Sequence, residues 1–152
     1  MIEIRRTDPA EPAIRALIEQ LDEYQADLYP AESNHLDAIV ELQRDHVYFF
    51  AAYEGDQVLG CGAVKFFPDY GEIKRMFVSP PARGRGLGVK LLQALERQAE
   101  ELTVRVLRLE TGHLQDAAIR LYQNSGYKEI GPFGQYSEDP HSVFMEKCPT
   151  AT

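Results

Sequence analysis

The chain has 152 residues, of which 44% are hydrophobic, and it carries a formal net charge of −8 at pH 7. This length suits one compact α/β domain and is too short for two domains of ordinary size. The acidic balance argues against a nucleic acid or an anionic membrane as partner, because proteins that bind such surfaces usually present a basic face.

Several other function classes are excluded by short sequence features. The N-terminus lacks an apolar core of signal-peptide length, and the longest apolar run, 47–53, is far shorter than a membrane span. A cytoplasmic protein is therefore expected. Cys61 and Cys148 form no CxxC pair, and the four histidines lack the spacing of metal ligands. Neither a disulfide framework nor a metal site is predicted.

Apolar periodicity predicts a strand and two helices at the start of the chain. Alternating residues at 2–4 indicate a short strand, and Asp8 is expected to cap a helix whose first residue is Pro9. Apolar residues then recur at helical spacing over 14–28, which gives this helix one face to bury against a sheet. Ser33 is expected to cap a second helix.

The rest of the chain alternates between strand and helix patterns. Aromatic and β-branched content indicates a meander of three strands, followed by a helix, a strand, a helix and closing strands. The order β-α-α-β-β-β-α-β-α-β-β is expected to form a single domain over 1–147, with a loose tail at 148–152. The expected strands lie at 47–53, 57–66, 72–78, 104–109, around Ile130 and at 143–146, and the expected helices lie at 86–101 and 115–124.

The segment from Arg83 to Gly88 is the most informative part of the sequence. It reads Arg-Gly-Arg-Gly-Leu-Gly and joins a predicted strand to a predicted helix. The glycines carry no side chains that would keep a ligand away from the backbone, and the helix N-terminus offers unpaired N–H groups at the positive end of a dipole. The loop therefore predicts a phosphate or pyrophosphate site. The alternative is a glycine-rich turn that caps an ordinary surface helix.

The spacing within this loop excludes two common nucleotide-binding motifs. A Walker loop requires Gly-Lys-Ser/Thr, whereas Lys90 is preceded by Val89 and followed by Leu91. A Rossmann fingerprint fails because Val89 or Leu91 stands where the third glycine is needed.

Two motifs resemble those of a known family. Arg83, Gly86 and Gly88 fit the pattern Arg/Gln-x-x-Gly-x-Gly/Ala, which resembles the acetyl-CoA pyrophosphate loop of the GNAT superfamily of N-acetyltransferases. The segment 115–127 resembles the family's Asn-x-x-Ala-x-x-Leu-Tyr-x-x-x-Gly-Phe, with Gln115 where the family often has Asn. The resemblance covers nearly the whole chain. It implies an α/β (α+β) GNAT fold, with a central mixed, mostly antiparallel sheet flanked by helices.

The resemblance also implies acetyl-CoA as co-substrate and a set of residues that bind it. The backbone of the third meander strand would lie along the pantetheine arm as an added strand would, and the loop would hold the pyrophosphate. The expected cofactor residues are Met76, Phe77, Val78, Arg83, Gly84, Arg85, Gly86, Leu87, Gly88, Gln115 and Tyr122.

Acetyl transfer from a thioester to an amine needs a base for the amine and an acid for the leaving thiolate. Tyr122 resembles the family tyrosine that faces the CoA sulfur, so it is the candidate acid. Glu72 stands at the position of the glutamate that histone acetyltransferases of this superfamily use as base, acting directly or through water. The alternatives are a core aromatic for Tyr122 and a solvated strand end for Glu72.

In the superfamily, the N-terminal helices and the last strands shape the acceptor pocket. The connection between the first two predicted helices is rich in hydrogen-bonding groups, which suggests recognition of a polar small molecule. The acidic chain favours a cationic or zwitterionic acceptor such as an amine or an amino acid. The expected acceptor residues are Tyr29, Glu32, Asn34, His35 and Tyr136.

These observations predict an N-acetyltransferase that modifies a small-molecule amine by direct transfer in a ternary complex. Cys61 has no sequence feature that would lower its pKa, so no covalent acetyl-enzyme is expected. A protein or peptide N-acetyltransferase and a non-catalytic CoA sensor are the alternatives. A homodimer is expected only because dimers are common in the superfamily, and the acceptor itself is not defined by the fold.

Overall fold

The computed structural model describes residues 1–33 and 37–148, and the strands within them form one seven-stranded sheet. Short 3₁₀ turns at Ala31–Ser33 and Pro80–Ala82 interrupt the regular elements. In chain order the strands and helices are β1 (Ile2–Arg6), α1 (Pro12–Leu28), α2 (Ile39–Leu42), β2 (Val47–Glu54), β3 (Gln57–Phe66), β4 (Gly71–Val78), α3 (Leu87–Glu101), β5 (Leu107–Gly112), α4 (Asp116–Asn124), β6 (Lys128–Ile130) and β7 (Ser142–Lys147).

The strands lie side by side in the order β1-β2-β3-β4-β5-β7-β6. The β4–β5 pair is parallel, and the other neighbouring pairs are antiparallel. The meander β2-β3-β4 follows from short turns, whereas the parallel pair needs the α3 crossover. The mixed, mostly antiparallel sheet predicted from the sequence is confirmed.

Helices cover both faces of the sheet because the strands alternate apolar side chains to each side. On one face, Ile14 and Ile18 of α1 pack in a cluster with Phe49. On the other face, Leu92 of α3 packs in a cluster with Val64. Each such buried aliphatic or aromatic side chain contributes about 1.5–3 kcal/mol relative to exposure, so these two clusters hold the layers together.

The starts of the two N-terminal helices differ from the sequence prediction. Helix α1 begins at Pro12 rather than Pro9, and Glu11 precedes it. The carboxylate of Asp8 instead accepts a hydrogen bond from the backbone N–H of Ala10 at 2.9 Å, which forms a turn before the helix. Ser33 caps no helix, because it lies in a 3₁₀ turn and α2 begins later.

Strand β5 begins at Leu107, three residues later than predicted. The reason is the end of α3: Thr103 has a left-handed φ of 57°, and the backbone N–H of Val104 donates to the carbonyl of Ala99 at 2.9 Å. This closing pattern satisfies carbonyls at the helix end and uses residues that would otherwise extend the strand.

Strands β4 and β5 separate soon after they meet. Their parallel pairing is limited to residues 71–73 opposite 107–109. Beyond that point the end of β4 pairs only with β3, and the end of β5 pairs with β7. The sheet therefore opens between the carboxyl ends of the two parallel strands, which is where ligands of such sheets usually bind.

Within the described parts of the chain, no helix combines the length and the apolar character needed to cross a bilayer.

Candidate active site

A groove of about 350 Å³ lies at the opening between β4 and β5. The end of β4 forms one wall, the starts of α3 and α4 form the others, and the glycine-rich loop lies at one end. With the exception of Arg85, every residue expected to bind the cofactor lines this groove: Met76, Phe77, Val78, Arg83, Gly84, Gly86, Leu87, Gly88, Gln115 and Tyr122.

The loop glycines are required by backbone conformation. Gly84 has φ of 83° and Gly86 has φ of 75°, in the left-handed region that costs other residues roughly 1–2 kcal/mol. A methyl group built at either position would meet nothing within 4 Å, so the space beside the loop is open. Helix α3 begins at Leu87, directly after Gly86, and its first N–H groups have no intrahelical acceptors. Open backbone at the positive end of a helix fits a pyrophosphate.

The two loop arginines take different positions. The Nε of Arg83 donates to the carbonyl of Val78 at 3.0 Å, and its guanidinium lies 5.6 Å from the ring centroid of Phe77 beside the groove. Arg85 instead forms a two-bond ion pair with Glu54, at 2.7 and 3.3 Å, and does not line the groove. Hydrogen bonding between the two raises the pKa of Arg85 and lowers the pKa of Glu54. Arg83 therefore stands beside the groove, whereas Arg85 is held outside it by Glu54.

A smaller and more polar cavity of about 70 Å³ adjoins the groove. It lies between the C-terminal half of α1, the separated ends of β4 and β5, and the segment between β6 and β7. Its polar or charged lining residues include Gln25, Tyr29, Asp37, Glu72, Lys74, Arg75, Glu110, Tyr136 and His141.

Glu72 is the buried carboxylate of this cavity. It is 4% exposed, and its Oε2 accepts a hydrogen bond from the hydroxyl of Tyr136 at 2.5 Å. The Nζ of Lys74 lies 3.7 Å from the same oxygen. Glu72 is thus buried between a neutral hydrogen-bond donor and a cation. The alternative interpretation, a carboxylate solvated at a strand end, does not describe this position.

The groove and the smaller cavity meet at Met76, Gln115, Ala118 and Tyr122, which line both. Burial raises the pKa of Tyr122, so its phenol stays protonated well into the alkaline range. The side-chain oxygen of Gln115 accepts hydrogen bonds from the backbone N–H of Gly112 at 3.0 Å and from Gln25 at 3.4 Å. Gln115 therefore reaches the junction while it ties α4 to β5 and α1.

A bulge in β4 positions Arg75 beneath the smaller cavity. The β3–β4 register shifts between Cys61 and Ala63, and Arg75 adopts a left-handed φ of 57°. Its guanidinium donates to the carbonyl of Asp37 at 2.6 and 3.2 Å and to the carboxylate of Asp22 at 2.6 Å. These bonds fasten α1 and the segment after it to β4, so they fix the cavity wall.

Cys61 is poorly suited to act as the nucleophile of a covalent acetyl-enzyme. Its thiol is fully buried and donates to the carbonyl of Arg75 at 3.2 Å. Burial raises its pKa to about 12, so the nucleophilic thiolate is scarce at neutral pH.

Of the predicted acceptor residues, Tyr29 and Tyr136 line the smaller cavity. The Tyr29 hydroxyl also accepts a hydrogen bond from the backbone N–H of Leu114 at 3.1 Å. Glu32 lies in the 3₁₀ turn after α1 and does not line the cavity. Asn34 and His35 lie outside the described residues.

Four further residues, which were not among the predicted site residues, also line the smaller cavity: Asp37, Lys74, Glu110 and His141. Strand alternation could have found Lys74, because it is two residues from Glu72 and so lies on the same face of β4. His141 follows an irregular segment and gave no signal, yet its buried Nδ1 has no hydrogen-bond partner. No group of three or more candidate metal ligands occurs in 1–33 and 37–148.

A sheet split between parallel strands, an open loop at a helix start and an adjoining polar cavity form a site that could hold an anionic cofactor beside a small polar molecule. The model of the Acetyltransferase (GNAT) family matches residues 15–127, and the chain belongs to this family. Acetyl-CoA is the co-substrate of the family, and the chain is an acetyl-CoA-dependent N-acetyltransferase.

The relatives agree with this assignment over nearly the whole chain. An IAA acetyltransferase from Azospirillum brasilense is 45% identical over 148 residues, which cover 96% of this chain and 97% of the relative. A crystal structure from Klebsiella pneumoniae, of a candidate acyl-CoA N-acyltransferase, is 38% identical with a TM-score of 0.82 and covers 97% of both chains. The PaiA N-acetyltransferase of Thermoplasma acidophilum, solved with coenzyme A, shares the fold at 21% identity, with a TM-score of 0.76 over 97% of this chain and 99% of that one.

Proposed function

We propose that the enzyme acetylates the amine of a small molecule by direct transfer from acetyl-CoA in a ternary complex. The observation that carries this proposal is the junction of the groove with the smaller cavity at Met76, Gln115, Ala118 and Tyr122. A thioester in the groove and an amine in the cavity would meet there, without transfer through an enzyme group. The scarcity of the Cys61 thiolate supports the direct route.

The size of the cavity favours a small acceptor over a peptide. Its volume of about 70 Å³ leaves room for only a few water-sized groups. The rings of Tyr29 and Tyr136 stand in its wall, where a peptide would need an open channel.

The charges of the cavity favour a cationic amine. Among its described lining residues, the carboxylates of Asp37, Glu72 and Glu110 outnumber the cations of Lys74 and Arg75. An amine arrives largely protonated at neutral pH, so a cavity with this balance attracts it and disfavours a polyanion. A carboxylate is then needed to remove the proton before attack.

Glu72 and Tyr122 would divide the proton transfers. Glu72 takes one proton of the ammonium group, and the freed nitrogen bonds to the acetyl carbon as the carbon–sulfur bond breaks. The nitrogen then loses a second proton to solvent, which leaves a neutral amide. Tyr122 gives its proton to the departing sulfur and recovers it from solvent. Backbone N–H groups at the end of β4 are the candidate donors to the carbonyl oxygen. A sensor that only bound CoA would need neither a base in the smaller cavity nor an acid at the junction.

The test is the release of free thiol from acetyl-CoA across a panel of diamines, amino acids, aminoglycosides and short peptides. IAA belongs in the panel because it is the compound named for the Azospirillum relative. We expect saturable release with a small cationic amine. Tight CoA binding without release in any mixture would contradict the proposal and favour the sensor.

Two variants test the assigned roles with the best acceptor from that panel. Glu72→Gln and Tyr122→Phe should each lower kcat about 10²-fold or more, while CoA binds as tightly as to the wild type. Unchanged turnover of either variant would remove that residue from the mechanism.

A further inference from the structure

We propose that Tyr136 is a proton relay that passes the proton of the acceptor amine to Glu72. This inference rests on the proposed function, because it names the route by which Glu72 acts as base. The carrying observation is the short hydrogen bond of 2.5 Å from the Tyr136 hydroxyl to Glu72 Oε2, at a cavity that both residues line.

The ring of Tyr136 is fixed in place by its neighbours. It belongs to the segment between β6 and β7, where the backbone N–H of Tyr136 donates to the carbonyl of Phe133 at 3.0 Å. Its ring centroid lies 5.2 Å from that of Phe133 and 5.5 Å from that of Phe144. Packed aromatic pairs of this kind hold a ring with little freedom, so the hydroxyl is aimed at Glu72 before substrate binds.

The hydroxyl keeps its proton until the reaction needs it. Burial, reinforced by the negative charge of Glu72, raises the pKa of Tyr136. The phenol is therefore neutral and donates to the carboxylate. A neutral phenol is a poor base alone, but its oxygen accepts a proton when its own proton leaves in the same step.

The depth of the two residues favours the relay over direct contact with the amine. Glu72 is 4% exposed, whereas Tyr136 is half-buried, and both residues line the smaller cavity. Glu72 Oε2 is also close to Lys74 Nζ, at 3.7 Å. In the relay, the more exposed of the two residues receives the proton of the amine and passes it to the more buried one.

The step conserves atoms and charge. One N–H bond of the acceptor breaks as a new O–H bond forms on Tyr136, and the original O–H bond of Tyr136 breaks as one forms on Glu72 Oε2. Two protons move, Tyr136 is neutral before and after, and Glu72 becomes the neutral acid. The nitrogen lone pair is then available to attack the thioester. No oxidant or further reactant is needed.

The chain offers a matched control for a test of this relay. The Tyr127 hydroxyl donates to Glu96 at 2.9 Å, which is a second partly buried tyrosine–glutamate pair. Tyr127 lines neither the groove nor the smaller cavity. Tyr127→Phe thus removes the same kind of hydrogen bond without touching the proposed proton route.

The experiment compares single-turnover acetyl transfer by wild type, Tyr136→Phe and Tyr127→Phe, in H₂O and in D₂O. The relay predicts that Tyr136→Phe lowers the rate about 10²-fold, leaves the Kd for CoA unchanged and has a smaller solvent isotope effect, because one proton fewer moves. Tyr127→Phe should retain the wild-type rate and isotope effect.

Two results would overturn the relay while leaving the proposed function in place. One is a Tyr136→Phe rate within about threefold of wild type. The other is a slower Tyr136→Phe with the wild-type isotope effect, which would make Tyr136 only a support for Glu72. If Tyr136→Phe does not fold, a fluorotyrosine placed at position 136 decides, because it lowers the pKa of that phenol alone: a changed transfer rate supports the relay, and an unchanged rate overturns it. A wild type that acetylates no amine would overturn the proposed function and the relay together.

Discussion

The ring of Tyr29 fills the space that a side chain would need at Gly112. A methyl group built on Gly112 would overlap the Tyr29 hydroxyl and the end of its ring. Tyr29 follows α1 and Gly112 ends β5, so this contact joins two sides of the smaller cavity, and the absent side chain of Gly112 lets α1 and β5 approach this closely.

Gly112→Ala should therefore destabilise the protein by about 1–3 kcal/mol, because Tyr29 must move and the hydrogen bond from Leu114 is lost. Urea denaturation measures the change. A double-mutant cycle with Tyr29→Ala tests the cause. Without the Tyr29 ring the space beside Gly112 is empty, so Gly112→Ala should lower the free energy of unfolding far less. An equal cost in both backgrounds would show that Tyr29 is not the obstacle.

Two glycines with similar left-handed φ, Gly86 in the loop and Gly55 outside it, allow the effect of a substitution on backbone strain to be separated from its effect on CoA binding. Gly86→Ala should lower stability by about 1 kcal/mol, because its φ of 75° disfavours a side chain, and should also weaken CoA binding by obstructing the open backbone. Gly55→Ala is the control, since Gly55 has a φ of 60° in the β2–β3 turn and equally open space. Calorimetry should show weaker CoA binding for Gly86→Ala alone. Equal CoA affinity for the two variants would contradict the cradle.

The loop arginines should differ in their effect on CoA. Arg83→Ala should weaken CoA binding about tenfold or more, because charged hydrogen bonds typically contribute 1.5–3 kcal/mol. Arg85→Ala should have a smaller effect, since Arg85 is paired with Glu54 outside the groove. Titration calorimetry with CoA measures both. A larger loss for Arg85→Ala would mean that its ion pair with Glu54 breaks when CoA binds.

Stability should fall at alkaline pH because three phenols are harder to ionise in the folded state. Burial raises the pKa of Tyr122, Tyr127 and Tyr136 above the unfolded value of about 10. A raised folded pKa means that the stabilisation is fully present below about pH 10 and is lost as pH rises beyond it. Absorbance titration should show these phenols ionising together with unfolding. If all tyrosines ionised with a pKa of about 10 while the protein stayed folded, this prediction would be wrong.

Regular elements were predictable where periodicity is strong and local. Strand β3 has the predicted bounds of 57–66, because its apolar run lies between a turn and a polar segment. The predicted start of α1 was too early, because Asp8 and Pro9 are typical of a helix start but form a turn in this structure. The later proline, Pro12, stands within the first turn of the observed helix, a position that suits its fixed φ.

The glycine-rich loop was predictable from its own residues, whereas Tyr29, Glu72, Tyr122 and Tyr136 were predicted through the family resemblance. The backbone conformation of the loop at 83–88 depends mainly on its own glycines, and most of its residues line the groove. The position of Arg85 could not be predicted, because its partner Glu54 is close in space but distant in sequence. The smaller cavity depends on tertiary contacts between α1, β4, β5 and the segment before β7. Neither the left-handed φ of Arg75 nor the approach of His141 has a local signal in the sequence.

Initial rates with acetyl-CoA and the acceptor varied together test the central claim most directly, since that claim is that both substrates occupy the groove and the adjoining cavity at once. Double-reciprocal lines that intersect are predicted, because the acetyl group moves only after both substrates have bound. Parallel lines would indicate an acetyl-enzyme formed before the acceptor binds, and would contradict direct transfer at Tyr122.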